Sequence, residues 1–178
     1  MAKILAFAGS NSSRSINFRL VKHSVGYLKE HDVELINLAD QPFPMYSEDL
    51  ERDQGFPGEL VSFCENIQKA DAVVLSVNEH NGNPSAYFKN LLDWFSRINR
   101  NFLEGTPVLL MSSSPGKRGG IGSIGVVQNM LPRFGAEIIT TFSLPSFHSN
   151  FTEEEGISDA ELASAYEKAL SQFQARLD

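Results

Sequence analysis

The sequence predicts an α/β fold in which a five-stranded parallel sheet is covered by helices on both faces. Five short apolar segments alternate with five segments of helical spacing, which is typical of parallel strands joined by right-handed crossover helices. The strand segments are nearly continuous apolar runs, as burial on both faces of a sheet requires. We expect the order 2-1-3-4-5, the commonest for five such strands. A chain of 178 residues corresponds to one domain, which we place over residues 1–178.

The N-terminal half of the chain is expected to contribute three strands. The first is a compact apolar run that ends at Gly9, after which apolar residues recur on one helical face. Prolines and mixed charges after the second strand predict a long loop. Pro57 begins the next helix, where its missing N–H costs nothing. The predicted elements are strand Lys3–Ala8, helix Ser15–Glu30, strand Val33–Leu38, loop Asp40–Gly55, helix Pro57–Lys69 and strand Asp71–Val77.

The C-terminal half is expected to contribute three helices and two strands. Gly135 follows the second of these helices and is typical of a helix C-cap. Ser158, with Glu161 three residues later, is a capping signature that predicts where the last helix begins. A loop that contains Pro145 precedes this helix. The predicted elements are helix Pro84–Asn101, strand Pro107–Ser112, helix Gly120–Phe134, strand Glu137–Phe142 and helix Ser158–Leu177.

Composition and charge exclude several classes of protein. Hydrophobic residues make up 42% and charged residues 21%, as in ordinary folded domains. The net charge of −7 argues against a nucleic-acid partner and against an anionic membrane surface. The single cysteine, Cys64, excludes an internal disulfide and a cysteine metal cluster. The apolar stretch Ile4–Ala8 is too short for a signal peptide or a membrane span, so we expect a soluble, cytoplasmic protein.

The loop after the first strand, residues 9–17, is rich in hydroxyl and amide groups and leads into a helix. Free N–H groups and the helix dipole favour an anion at such a position, so we predict a phosphate site. Alternatively, Ser15 is only an N-cap and the other polar residues solvate a turn. The loop lacks the glycine pattern of a dinucleotide site, the Gly-Lys-Ser/Thr of a P-loop and a cysteine nucleophile. The candidate residues here are Ser10, Ser12, Ser15, Ile16 and Asn17.

Two further loops, after the third and fourth strands, are chemically unusual. In the expected strand order they meet the first loop at the edge of the sheet where ligands bind. Polar residues around a glycine in the earlier loop fit the polar edge of a flat heteroaromatic ring, and the glycines of the later loop allow close backbone approach. The candidate residues are Asn78, Glu79, His80, Asn81 and Gly82 in the first of these loops and Ser113, Ser114, Gly116 and Gly119 in the second.

Plainer interpretations of these two loops remain open. A lone histidine such as His80 is more often a solvent-exposed loop residue, and we do not predict it as a proton donor. Asn78 and Asn81 are equally turn formers beside Gly82. Lys117 and Arg118 either meet a second anionic ligand or are ordinary solvated charges.

Together the three loops resemble those of the NADPH-dependent FMN reductase family, whose members have a flavodoxin-like fold. The family patterns are similar to G-S-x-R-x-x-S-x-N, to P-E-Y-N-G followed by K-N-x-x-D-W, and to S-x-S-P-G-x-x-G-G. The matching residues are Gly9, Ser10, Ser15 and Asn17; Glu79, Asn81, Gly82, Lys89, Asn90, Asp93 and Trp94; and Ser112, Ser114, Pro115, Gly116, Gly119 and Gly120.

Three positions depart from these patterns. Ser12 stands where the family has an arginine, and Arg14 is a candidate replacement for that cation. Asn78 and His80 stand where the family has a proline and a tyrosine, which changes the surface beside the expected ring.

The resemblance implies a flavodoxin-like three-layer sandwich that binds FMN, with the phosphate in residues 10–17 and the isoalloxazine ring between the other two loops. It implies that hydride passes from NADPH or NADH to the flavin, and that electrons then pass to a small-molecule acceptor such as a quinone, an azo compound, a metal oxyanion or free flavin. Because the cofactor carries this chemistry, no catalytic side chain and no metal are predicted. The resemblance further implies a homodimer or homotetramer, in which Asp40–Gly55 lines a neighbour's site.

Two alternative functions remain. A flavodoxin-like electron carrier or FMN-binding module would bind FMN without nicotinamide turnover, and an acidic surface suits docking on basic redox partners. A hydrolase or phosphatase that does not use flavin would have the same fold and be colourless. In the helix Lys89–Arg97, Asp93 and Trp94 are alternatively packing residues.

Overall fold

The structure is a computed structural model that describes residues 1–177, so the last residue of the predicted domain, Asp178, lies outside the described residues. Its N-terminal elements are β1 (Lys3–Ala8), α1 (Ile16–Val25), β2 (Asp32–Ile36), α2 (Glu48–Gln54), α3 (Gly58–Lys69), β3 (Ala72–Ser76), β4 (Glu79–His80) and β5 (Asn83–Pro84). The remaining elements are α4 (Ala86–Ile98), β6 (Pro107–Ser113), α5 (Ile121–Met130), β7 (Glu137–Leu144), α6 (Phe147–Asn150), β8 (Phe151–Thr152), β9 (Gly156–Ile157) and α7 (Ala160–Gln174). Short 3-10 turns lie at Leu38–Asp40 and Leu131–Phe134.

A parallel sheet of order β2-β1-β3-β6-β7 forms the centre of the molecule. Counting only these five strands, the order is 2-1-3-4-5, which confirms the predicted architecture. Alternate residues of β1 point to opposite faces: Leu5 and Phe7 pack on the side of α3, α4 and α5, whereas Ile4 and Ala6 pack on the side of α1 and α7. Burial of both faces explains why the strand sequences are continuous apolar runs.

Several predicted boundaries were wrong. The segment Asp40–Gly55, predicted as a loop, contains α2, which begins after Ser47, whose hydroxyl accepts a hydrogen bond from the Leu50 N–H. The first helix ends at Val25 and not at Glu30. The last helix is capped by Asp159, whose side chain accepts from the Leu162 N–H. Ser158 belongs to the preceding turn, because its N–H donates to the carbonyl of Asn150.

The predicted helix Gly120–Phe134 and its C-cap are mostly confirmed. The α-helix ends at Met130 and a 3-10 turn continues to Phe134. Gly135 then adopts φ +96, and its N–H donates to the carbonyls of Leu131 and Pro132. Only a residue without Cβ adopts this left-handed conformation at low cost.

The segment before α2 is held by α4. The Asn90 amide accepts from the Tyr46 N–H (2.7 Å) and donates to the Pro44 carbonyl (2.9 Å), which also accepts from the Trp94 indole N–H (2.9 Å). Trp94 is fully buried. Two α4 residues of the family pattern, Asn90 and Trp94, therefore hold the segment before α2 in place through hydrogen bonds and packing.

No helix within residues 1–177 is both long and apolar enough to cross a membrane.

Candidate cofactor site

A pocket of about 460 Å³ opens where the loops after β1, β3, β6 and β7 meet. Its volume lies within the range of small-molecule sites. Ten of the predicted site residues line it: Ser10, Ser12, Ser15, Ile16, Asn17, Asn78, Glu79, His80, Ser113 and Ser114. Three other residues complete the lining, namely Arg14, Pro115 and His148. Four predicted residues, Asn81, Gly82, Gly116 and Gly119, are not among the lining residues.

The first loop turns sharply before α1. The Ser10 hydroxyl accepts from the Ser12 N–H (3.3 Å), and the Ser12 hydroxyl accepts from the Arg14 N–H (3.3 Å). The Ser15 hydroxyl accepts from the Phe18 N–H (3.1 Å) and is therefore an N-cap. Of the two roles that the sequence left open for Ser15, phosphate binding and helix capping, the structure shows the second. The first N–H groups of α1 have no acceptor in the helix itself, and they border the pocket together with the exposed residue Arg14.

Asn17 is a buried hub, only 2% exposed. Its Oδ1 accepts from the Ser113 N–H (2.8 Å) and from the Ser76 hydroxyl (2.7 Å), and its Nδ2 donates to the Ser113 carbonyl (3.1 Å). The side chain therefore ties α1 to the carboxyl ends of β3 and β6. Its main role in the structure is to hold the pocket's floor together.

The second loop is a β-hairpin made by β4 and β5. Asn81 and Gly82 have φ of +54 and +77, the conformation that an Asn-Gly turn adopts between such strands. Both residues form the turn and lie away from the pocket lining, which confirms the turn interpretation of Asn81. The Glu79 carboxylate faces inward and accepts from the Ser123 N–H (3.0 Å) in the first turn of α5. Glu79 thus caps α5 and fixes the hairpin to it.

Asn78 carries a buried polar atom without a partner. Its Nδ2 lies 3.3 Å from the His80 Nε2, but among the described residues its Oδ1 is buried and accepts no hydrogen bond. Such an acceptor is normally satisfied by water or by a ligand donor. The hairpin side of the pocket is thus suited to a ligand that presents N–H groups.

The third loop depends on glycines that fit against neighbouring backbone. Gly119 has φ +59, and a Cβ there would lie 2.9 Å from the Pro145 nitrogen and in collision with the Ser143 hydroxyl. Gly116 is different, because the nearest atom to its added Cβ would be the Ser114 hydroxyl at 3.9 Å. Gly119 therefore shapes this loop. Lys117 and Arg118 are exposed and lie outside the pocket lining.

The loop after β7 brings in His148, which the sequence analysis missed. The Ser146 N–H donates to the Gly116 carbonyl (2.9 Å) and the Phe147 N–H donates to the Ser114 carbonyl (3.1 Å). These two bonds dock α6 onto the third loop. The signal available in the sequence was the predicted strand order, since the fifth strand neighbours the fourth and its carboxyl end lies at the same edge of the sheet.

Comparisons with known proteins are consistent with this geometry. The family model of NADPH-dependent FMN reductases matches residues 2–149. A quinone reductase of Escherichia coli is 38% identical over 86 residues, which cover 48% of this chain and 45% of that protein. An NAD(P)H-dependent FMN reductase of Pseudomonas aeruginosa is 30% identical over 66% of this chain and 62% of that protein. The chain therefore spans about half to three fifths of the length of these relatives.

Solved structures show the same fold. The flavoenzyme NAD(P)H:(acceptor) oxidoreductase FerB of Paracoccus denitrificans superposes with a TM-score of 0.73 over 98% of each chain, at 22% identity. The apo form of an NADH:FMN oxidoreductase superposes with a TM-score of 0.74 over 99% of this chain and 90% of that one, at 16% identity.

Proposed function

Because the chain belongs to the NADPH-dependent FMN reductase family, we propose that its pocket binds FMN and that it is an NAD(P)H-dependent oxidoreductase acting on small acceptors. FMN joins a phosphate to a flat ring whose pyrimidine edge carries one N–H between two carbonyl groups. The pocket has a matching surface for each part of FMN. The loop that leads into α1 lies on one side, and the hairpin with the buried Asn78 Oδ1, which accepts no hydrogen bond from the described residues, lies on the other. This pairing in one cavity is the observation that carries the proposal.

The residues present fit the cofactor. The N–H groups of Ile16 and Asn17, the hydroxyls of Ser10 and Ser12, and the Arg14 side chain would hold the phosphate. The edges of the hairpin and of the third loop, Asn78–His80 and Ser113–Ser114, would border the ring. When bound, FMN supplies the hydride and electron chemistry, so the protein's own contribution is to bind and orient. Glu79 orients the hairpin through the first turn of α5.

Access to the pocket supports turnover with exchangeable substrates. His80, Pro115 and His148 line the pocket and are exposed to solvent. A nicotinamide and then a flat acceptor can therefore approach the same face of the site in turn. We infer that quinones, azo compounds, metal oxyanions or free flavin serve as acceptors. We further infer a homodimer or homotetramer, to which the exposed Met45 and Phe56 would contribute apolar contact area.

Anaerobic mixing of the FMN-loaded protein with NADPH or NADH tests the function. We expect the visible flavin bands to bleach within seconds and to return when a quinone is added. Flavin that binds but stays oxidised for minutes would identify the electron carrier instead. A protein that binds no FMN when the cofactor is supplied in excess would contradict both the oxidoreductase and the electron carrier.

A double variant tests whether the third loop recognises the extra phosphate of NADPH. Lys117→Ala with Arg118→Ala removes two exposed cations beside the lining residue Pro115. We expect the KM for NADPH to rise about threefold to tenfold, as for exposed charge pairs, and the KM for NADH to change little. Steady-state kinetics with both nucleotides measure the difference.

The matched control removes one lysine and one arginine near the amino ends of the strands, at the end of the sheet opposite the pocket. Lys69 ends the helix that leads into β3, and Arg176 pairs with Glu137 at the start of β7. The variant Lys69→Ala with Arg176→Ala is expected to leave both KM values unchanged. Equal changes for NADPH and NADH in the loop variant would show that Lys117 and Arg118 do not contact the extra phosphate.

A further inference from the structure

We propose that His148 is a further ligand of the FMN phosphate. This inference rests on the proposed function and assigns a role to a residue that lies outside the three loops of the family resemblance. It is carried by the position of α6, by the strain and packing that hold α6 there, and by the charges around it.

His148 lies on the phosphate side of the pocket. Its neighbour Phe147 is fully buried, and the Phe147 ring centre is 5.0 Å from the guanidinium carbon of Arg19. Arg19 lies one turn after the N-cap Ser15. The turn that carries His148 therefore packs beside the start of α1, whose free N–H groups attract the anion. The hairpin is fixed to α5, on the opposite face of the sheet.

The backbone before His148 is held in an unfavourable conformation. Ser146 has φ +48, one of two non-glycine residues with positive φ in the described part of the chain. The surrounding structure maintains this conformation through the bonds from residues 146 and 147 to the third loop. Strain of this kind, maintained at the rim of a pocket, is typical of residues positioned for binding.

The segment that follows His148 is also packed tightly. The Phe151 ring stacks on Phe147 with centroids 4.8 Å apart, and a Cβ at Gly156 would lie 2.7 Å from the His23 ring. Burial lowers the pKa of His23, which favours the uncharged form of its ring in this packing. The turn that carries His148 therefore has a defined place and is not a free loop end.

The charged residues near the turn that carries His148 favour the binding of an anion. Arg14 lines the same pocket from the first loop, and Lys117 and Arg118 extend the third loop on which α6 docks. Arg19 is neutralised by Glu153 at 3.0 Å. The acid of the pocket lining, Glu79, faces α5 from the hairpin, where His80 is the other titratable group.

A histidine ring carries at least one N–H that can be donated to a phosphate oxygen. Such a contact acts on the phosphate and not on the flavin ring, so its loss is expected to weaken the binding of FMN and to leave the binding of a flavin without phosphate unchanged.

Binding of FMN and of riboflavin to the apoprotein tests the proposal, because riboflavin has the same ring and lacks the phosphate. In His148→Ala we expect the dissociation constant of FMN to rise about fivefold, as for the loss of one hydrogen bond. The dissociation constant of riboflavin is expected to stay unchanged. Quenching of flavin fluorescence on titration with protein measures both constants.

His80→Ala is the matched control, since it removes the exposed histidine on the other side of the same pocket. We expect it to change FMN and riboflavin binding by the same factor. A His148→Ala effect that is equal for the two flavins would overturn the inference. A wild-type protein that binds FMN no better than riboflavin would instead overturn the proposed phosphate site, and the role of His148 with it.

Discussion

Replacement of Gly119 by alanine is expected to destabilise the protein by about 3 kcal/mol, the sum of positive-φ strain and overpacking. The added Cβ would lie 2.9 Å from the backbone nitrogen of Pro145 and would collide with the Ser143 hydroxyl. Relief of these contacts requires the third loop to move away from the end of β7. Because Ser114 lines the pocket and docks α6, we expect FMN binding to fall at least tenfold as well.

Gly116→Ala provides the control for this experiment. It lies in the same loop, and its added Cβ would have the Ser114 hydroxyl at 3.9 Å as its nearest neighbour. We expect its free energy of unfolding to stay within about 0.5 kcal/mol of the wild type. Urea unfolding of both apoproteins, followed by circular dichroism, measures the difference. Equal stability of the two variants would show that the third loop adapts freely and does not depend on Gly119.

The parallel sheet could be predicted from sequence because burial on both faces leaves a strong signal, and its order was expected as the commonest one for five such strands. Strands such as Lys3–Ala8 and Ala72–Ser76 are apolar at nearly every position, and helices such as α3 and α4 bury one apolar face. The structure places all five strands in the predicted order. The expected edge of the sheet then follows, since parallel strands bring their carboxyl ends together.

Helix α2, which was predicted as a loop, lacks the apolar pattern that reveals the other helices. None of its seven residues is buried, so it has no apolar periodicity that a sequence analysis could detect. It is held instead by tertiary contacts, since the Glu51 carboxylate accepts from the Tyr46 hydroxyl (2.9 Å) and from the Arg97 guanidinium (2.9 Å). The bond from Arg97, with that from Tyr46, lowers the pKa of Glu51. Such distant pairings are not visible in the local sequence.

The residues that line the pocket were easier to predict than the roles of their side chains. Polar residues after β1, β3 and β6 could be expected to line one cavity, and ten of the fourteen candidates do. Sequence alone does not separate a side chain that faces the cavity from one that builds it. Ser15 caps α1 and Glu79 caps α5, although both also line the pocket. Both roles require the same polar residue types at helix N-termini, so the composition of the loops fits either.

The clearest case is Asn17, whose replacement by alanine is expected to cost about 3–5 kcal/mol of stability. Three buried polar groups, the Ser113 N–H and carbonyl and the Ser76 hydroxyl, lose their partner, at about 1–3 kcal/mol for each unsatisfied group. The sequence interpretation placed this side chain on the phosphate. The structure shows its amide already engaged between β3 and β6, so we expect the loss to arise without any ligand.

Unfolding of the apoprotein distinguishes the two roles of Asn17. A phosphate ligand would leave the apoprotein's free energy of unfolding unchanged and would lower only the affinity for FMN. If Asn17 instead links the strands, its loss lowers the stability of the apoprotein, and FMN binding falls because the floor of the pocket opens. Ser15→Ala is the comparison, since loss of an N-cap costs only about 1 kcal/mol. If Asn17→Ala in the apoprotein is no less stable than Ser15→Ala, then the three hydrogen bonds of its amide do not hold the pocket together.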